Sequence, residues 1–283
     1  MRKTKIICTL GPSTDSPEVL EAMMKSGMDV ARFNFSHGTH EDHKRRLEML
    51  KDLRKKLNIP VAALLDTKGP EIRLKTFEKG EVYLETGQHF TLTAREVTGT
   101  REICSVTYKN LAQDVRLGSQ VMLDDGLISM KVVEKTETDV ICRVENGGAV
   151  KDRKGVNVPG VHLSMPYMSA QDRADIRFGI EEGFDFIAAS FCRTAQDAME
   201  IRRMLDENHS NMRIIAKLEN QEGVNNVDEI LAVVDGVMIA RGDMGVEIDF
   251  TEIPVIQKDI IAYTLGYGKH VITATQMLDS MIT

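Results

Sequence analysis

In Val30-Ala31-Arg32-Phe33-Asn34-Phe35-Ser36-His37, apolar and polar residues alternate. An extended strand therefore puts Ala31, Phe33 and Phe35 on one side and Arg32, Asn34 and Ser36 on the other. Just beyond it, Thr39 and Asp42 have the spacing of a capping box, which starts a helix. After that helix comes a second apolar run, residues 61–66. Strand, helix, strand is the unit of a parallel sheet, and it recurs: further runs at 5–10, 186–191, 213–219, 236–240 and 270–275 complete a set of seven. Ser16-Pro17-Glu18, Ser169 with Asp172 and Thr194 with Asp197 mark other helix starts, each behind a candidate strand. The pattern predicts an α/β fold, a (β/α)8 TIM-type barrel, incomplete with about seven strands. Periodicity alone leaves an open doubly wound sheet as the alternative.

Between Gly69-Pro70 and Met165-Pro166 the period changes. Short strands at 82–84, 90–93, 103–108, 121–123, 127–133 and 140–144 alternate with turns such as Asp124-Asp125-Gly126, without a clear helix. This predicts an inserted all-β lid domain at 70–167, flanked by barrel segments 1–69 and 168–283. It leaves the barrel after the third strand, where βα loops face the active site. No eighth strand follows residues 270–275, and 276–283 look like the start of a helix. A seven-stranded sheet would expose the backbone edges of its first and seventh strands, so the chain as written is expected to associate and to be poorly active.

Bulk composition narrows the function. The 283 residues, 42% hydrophobic, suffice for a large core. A net charge of −7 gives no general basic footprint for nucleic acid, and Arg54-Lys55-Lys56 is too short a run to supply one. The four cysteines, Cys8, Cys104, Cys142 and Cys192, form no CxxC pair, which fits a reducing cytoplasm. No segment has the composition of a signal peptide or membrane helix.

Chemistry concentrates at the C-terminal ends of the strands. A barrel strand is buried on both faces, so Arg32 calls for an anionic partner. In Leu64-Leu65-Asp66-Thr67-Lys68-Gly69-Pro70, Asp66 and Thr67 stand where oxygen ligands of a hard cation belong, or merely cap the loop to the insertion. Lys217 and Glu219 share one side of their strand, as an ion pair or as working groups. Asp243 ends the adjacent strand, close enough for Glu219 and Asp243 to hold one magnesium ion. Backbone amides around Gly242 and Gly245 suit a carboxylate, or simply make a tight turn. Thr273 and Thr275 add hydroxyls at the same end.

Taken together, TKIICTLGPST, ARFNFSHG, LLDTKGPEIR, KGVNVPG, IAKLENQEGV, MIARGDMGVE and ITATQMLDSM resemble the pyruvate kinase family in order and spacing over essentially the whole chain. The resemblance implies transfer of a phosphoryl group from phosphoenolpyruvate to ADP, giving pyruvate and ATP. It implies that Arg32 and Arg73 bind the transferring group and that Lys217 neutralises its charge. Thr275 would position substrate and protonate the enolate, and Gly242 with Asp243 would hold the carboxylate. Asn34, His37 and Lys154 match nucleotide-side positions. Asn34, Ser36, Asp66 and Thr67 would hold K+, and Glu219 with Asp243 would hold Mg2+ or Mn2+. Glu71 accords with potassium dependence, because members with Lys there tend not to need the ion. The family continues through an eighth strand and a C-terminal domain that builds a homotetramer. Two other readings remain: a magnesium-dependent, enolate-forming barrel aldolase, and a noncatalytic fragment.

Overall fold

The computed structural model describes residues 3–275. Seven parallel strands form one sheet in sequential order: Ile7–Leu10, Val30–Asn34, Ala62–Asp66, Phe186–Ala189, Arg213–Leu218, Gly236–Ala240 and His270–Ala274. They are called the first to seventh strands below. Among the described residues the first and seventh are the sheet edges. The predicted helix at 276–283 lies outside the described residues.

Both faces of the sheet are covered, as a parallel sheet requires. Ala31, Phe33, Ala63, Leu65, Ile187, Ile214, Ala216, Val237 and Ile239 point outward into one large core shared with the helices. The inward-facing residues include a much smaller cluster, Leu64, Ala188, Ile215 and Met238, with Val30, Phe186, Ile272 and Ala274 against it. This apolar plug is the floor of the barrel. Two residues further along the second, third and fifth strands, the same face carries Arg32, Asp66 and Lys217, and Ser190 follows Ala188 in the same way on the fourth.

Four helix starts follow the sequence prediction, three of them in full. Ser16 caps Pro17–Ser26, and reciprocal capping boxes open His40–Leu57 at Thr39 and Ala170–Glu182 at Ser169. Thr194 caps Ala195–Glu207 with only half of the predicted box. The carboxylate of Asp197 does not return to Thr194, because Arg193 claims both of its oxygens. Such caps each contribute about 1 kcal/mol.

The insertion forms a second sheet of seven strands and a separate two-stranded ribbon around a core of its own. Three of its strands, Ile72–Arg73, Gly148–Lys151 and Gly155–Asn157, were not expected, nor was the helical turn Leu111–Asp114. The run expected at 103–108 is a strand only over Ile103–Ser105. The incoming strand Ile72–Arg73 pairs antiparallel with the outgoing Gly155–Asn157, Arg73 opposite Gly155. At the junction with the barrel, Gly69 takes φ +72°, and a Cβ there would lie 2.8 Å from the Ser190 carbonyl oxygen. Only glycine fits this left-handed turn against the fourth strand's end.

Candidate active site

The sheet register puts Arg32 beside Leu64 and Asn34 beside Asp66, so the second and third strands deliver their polar groups together. Asp66, 1% exposed, is the hub. One of its oxygens accepts Arg32 Nε at 2.5 Å, and the other faces Lys217 Nζ at 3.1 Å and accepts the Ser190 hydroxyl at 3.1 Å. Arg32 Nη1 also donates to Thr9 Oγ1 at 2.9 Å. The anionic partner that a buried-strand Arg demands is thus within the protein, and the ion pair holds the guanidinium in place.

Lys217 is 8% exposed and makes three contacts through Nζ: Glu219 Oε1 at 2.9 Å, Ser190 Oγ at 2.8 Å and Asp66. Burial pulls its pKa down, but Glu219 and Asp66 more than offset this and hold it above the ordinary lysine value. Lys217 therefore stays charged. Glu219, 1% exposed, accepts Lys217 on one oxygen and the Phe191 N–H on the other at 2.5 Å. Burial pushes its pKa up to about 7, Lys217 opposes the rise, and the charge of Asp243 adds to it.

Asp243 is exposed, in the first turn of the helix Arg241–Glu247 that follows the sixth strand. It lies near enough to act on both Lys217 and Glu219. The same turn meets the seventh strand's end. Gly242 N–H donates to Thr275 Oγ1 at 2.9 Å, and the Arg241 guanidinium donates to the carbonyls of Ala274 and Thr275. Thr275 has φ +59°, which ends the strand one residue before the sequence suggested.

A cleft of about 410 Å³ separates this strand-end cluster from the insertion and is lined by Glu71, Asp125, Asn157, Arg193, Asn220 and Asp243 among others. Arg73 and Lys154 belong to the insertion. Arg73 donates to Glu71 at 2.8 Å and to the Arg153 carbonyl at 2.9 Å, while Lys154 pairs with Asp124 at 2.8 Å. The two segments run side by side, since Leu74 N–H donates to the Lys154 carbonyl at 2.9 Å. His37 and Ser36 are exposed just past the second strand, where Asn34 Oδ1 accepts the Ser36 N–H at 3.1 Å. Neither touches the Lys217 cluster through a hydrogen bond among the described residues.

The pKa of Glu219 is raised chiefly by burial and further by the charge of Asp243, and a divalent ion would neutralise both carboxylates, so the pair fits one. No cluster of three or more His, Cys, Asp or Glu suited to a metal occurs among the described residues. Asn34, Ser36, Asp66 and Thr67 stand at adjoining strand ends. Asp66 can accept four hydrogen bonds and three directions are taken, so one on the Arg32-bound oxygen is left for a monovalent ion.

Sequence reasoning passed over Ser190, Arg193 and Arg241. Ser190 was within reach: Phe186, Ala188 and Ser190 continue the period-two face of the fourth strand.

The pyruvate kinase barrel-domain model matches residues 1–283. The chain belongs to the pyruvate kinase family. It is 52% identical over 283 residues to the pyruvate kinases of Staphylococcus aureus strains MRSA252 and USA300, covering 99% of this chain and 48% of each relative. It thus spans about half the length of the curated pyruvate kinases it matches. The inserted β sheet falls within the span matched by the barrel-domain model of that family. No helix among the described residues is long and apolar enough to cross a membrane.

The raised pKa of Glu219 has a consequence for the metal-free protein. Its folded value of about 7 exceeds the unfolded carboxylate value of ~4.3, so the folded state binds the proton more tightly. The stabilisation is fully present below the unfolded value and is lost as pH rises through about 7. Thermal melts in chelator should therefore show a falling Tm across neutral pH, flattened by Glu219→Gln. A slope unchanged in that variant would assign it to another group.

Proposed function

We propose that the protein carrying this chain transfers the phosphoryl group of phosphoenolpyruvate to ADP, producing pyruvate and ATP, with Mg2+ or Mn2+ and K+ as cofactors. The observation that carries this reading is the buried Lys217, fixed by Asp66, Glu219 and Ser190 at the strand ends, in a chain of this family. Phosphoryl transfer needs positioning and charge stabilisation more than covalent chemistry, and preorganised cationic groups supply both.

In this reading Lys217 meets the negative charge that develops on the transferring group and the enolate oxygen. Its three contacts leave the ammonium little freedom, so little reorganisation accompanies the reaction. Arg32, tied to Asp66 and Thr9, binds the same group from the second strand, and Arg73 reaches it from the insertion. Glu219 and Asp243 would hold the divalent ion, whose contribution when bound is Lewis-acid stabilisation of substrate oxygens. Asn34, Ser36, Asp66 and Thr67 would hold K+. The substrate carboxylate would take the Gly242 N–H in place of Thr275 Oγ1, and the Thr275 proton, donated to the Ala274 carbonyl at 2.8 Å in the free chain, would have to leave that carbonyl to reach the enolate. Asn34, His37 and Lys154 serve the nucleotide. The insertion, residues 70–167, closes over the cleft as a lid and excludes water.

Four free cysteines accord with a cytoplasmic protein. The full-length protein is proposed as a homotetramer; Phe250, Val255, Tyr263 and Leu265, exposed on and before the helix Ile253–Gly266, offer an apolar face that another segment or subunit would cover. Family membership removes the ground for the aldolase alternative.

The test is pyruvate formation from phosphoenolpyruvate by the full-length protein, with and without ADP, in K+ and in tetramethylammonium. The expected result is ADP-dependent pyruvate that K+ accelerates, and Glu71→Lys should raise the rate in the organic cation. Pyruvate formed equally without ADP would overturn the reaction. Equal rates in both cations would overturn the potassium site.

A further inference from the structure

The loop after the fourth strand touches both the catalytic cluster and the lid. At its start, the Ser190 hydroxyl contacts Lys217 Nζ at 2.8 Å, Asp66 at 3.1 Å and the Thr67 carbonyl at 2.6 Å. The next residue, Phe191, sits in the left-handed region at φ +53° and aims its N–H at Glu219. A bulky residue keeps such a backbone only where its surroundings over-determine it. They do so here. Asn226 Nδ2 donates to the Arg193 carbonyl at 2.9 Å, and Gly223 packs so closely that a Cβ would lie 2.5 Å from the Cys192 carbonyl oxygen.

At its other end, Arg193 spreads its guanidinium between barrel and lid. Nε and Nη2 grip Asp197 at 3.0 and 3.2 Å, while Nη1 and Nη2 donate to the carbonyls of Leu163 and Met165 at 3.0 and 3.2 Å. Those two residues flank Ser164, which the lid holds from its own side. Asp114 accepts the Ser164 N–H at 2.8 Å and the Tyr108 hydroxyl at 2.5 Å, and Leu163 and Met165 pack on the lid core. The outgoing segment of the lid is therefore fastened to the lid body by Asp114 and to the barrel by Arg193.

We propose that Arg193 is a positioning residue that sets the orientation of the lid, and that the rigid loop 190–193 links this orientation to the placement of Lys217 and Glu219. A planar guanidinium is needed because four directed hydrogen bonds to three residues exceed what an ammonium can supply in that geometry. The kinetic consequence rests on the phosphoryl-transfer reading. The mechanical link does not.

The experiment uses the full-length protein with Arg193→Lys, Ser190→Ala and both together. Amide exchange is followed in peptides covering residues 158–166 and 188–193, alongside kcat and KM for phosphoenolpyruvate. Arg193→Lys should speed exchange in both peptides and lower kcat by about tenfold, in keeping with the cost of small misplacements in such sites. The double variant should lose little more kcat than the worse single one, because both act on one link. Exchange unchanged in 158–166 overturns the role of Arg193, and exchange altered there but not in 188–193 overturns the coupling. Single-variant losses that multiply also overturn the coupling. A wild type without transfer activity sinks the functional reading alone, since the exchange data still decide whether Arg193 holds the lid.

Discussion

Replacing Lys217 with Met is expected to slow phosphoryl transfer by about 10²–10³-fold, corresponding to the ~3–4 kcal/mol that a preorganised charge contributes in a transition state. Protonation of added enolpyruvate, which the proposed mechanism assigns to Thr275, should survive better. The structure adds a second expectation. Lys217 is the shared counter-charge of Asp66 and Glu219, both 1% exposed, so its removal also breaks a buried ion-pair network. Asp66 keeps Arg32 as a partner. Among the described residues Glu219 then keeps only the Phe191 N–H and should take up a proton, or a divalent ion where one is supplied. The Tm of the variant should thus fall more above pH 7 than below it, and Mg2+ should recover part of the loss. Transfer at a near-normal rate in Lys217→Met would reduce Lys217 to a structural partner of Glu219.

Glu219→Ala and Asp243→Ala are expected to weaken magnesium activation by at least the ~10–100-fold that outer-shell partners of metal ligands cost, with transfer lost in parallel. The two variants should differ in everything else. Glu219 is buried and paired, so its removal leaves Lys217 with Asp66 and Ser190 and abolishes the neutral-pH slope of the metal-free melt. Asp243 is exposed, so its removal should leave the Tm nearly unchanged at pH below the slope. Because its charge raises Glu219, Asp243→Ala should also move that slope to lower pH. Magnesium titrations identical to wild type in both variants would remove these residues from the metal site.

Much of the fold is legible because its signals are local. Seven strand runs, the cap at Ser16 and the boxes at Thr39 and Ser169 each depend on residues within a few positions. The errors also have local causes. Four strands stop one or two residues short of their apolar runs, and beyond two of them Phe191 and Thr275 take positive φ. Ile72–Arg73 and Gly155–Asn157 are too short to show any alternation, and their pairing joins positions some eighty residues apart.

The candidate site divides in the same way. Which residue types stand at the strand ends follows from period-two alternation. Which of them touch does not, because it depends on register between strands distant in sequence. Asp66 lies 151 positions from Lys217, yet it faces both that residue and Arg32. Arg193 shows the converse. Its sequence surroundings suggest an ordinary helix start, and only the folded lid reveals the two carbonyls that it holds.

The pairing of Arg73 with Gly155 also bears on how such a chain acquires its shape. Residues opposite one another in an antiparallel ladder have Cα atoms only about 5 Å apart. To the barrel, the long excursion between the third and fourth strands therefore presents ends as close together as those of a tight turn. Once the insertion has condensed around its own core, the third and fourth strands find each other with little further loss of chain entropy. Contacts remote in sequence then become near neighbours along the effective contour, which removes a main reason for slow assembly of parallel sheets. A change in the insertion's length that keeps this pairing should therefore leave its two ends equally close.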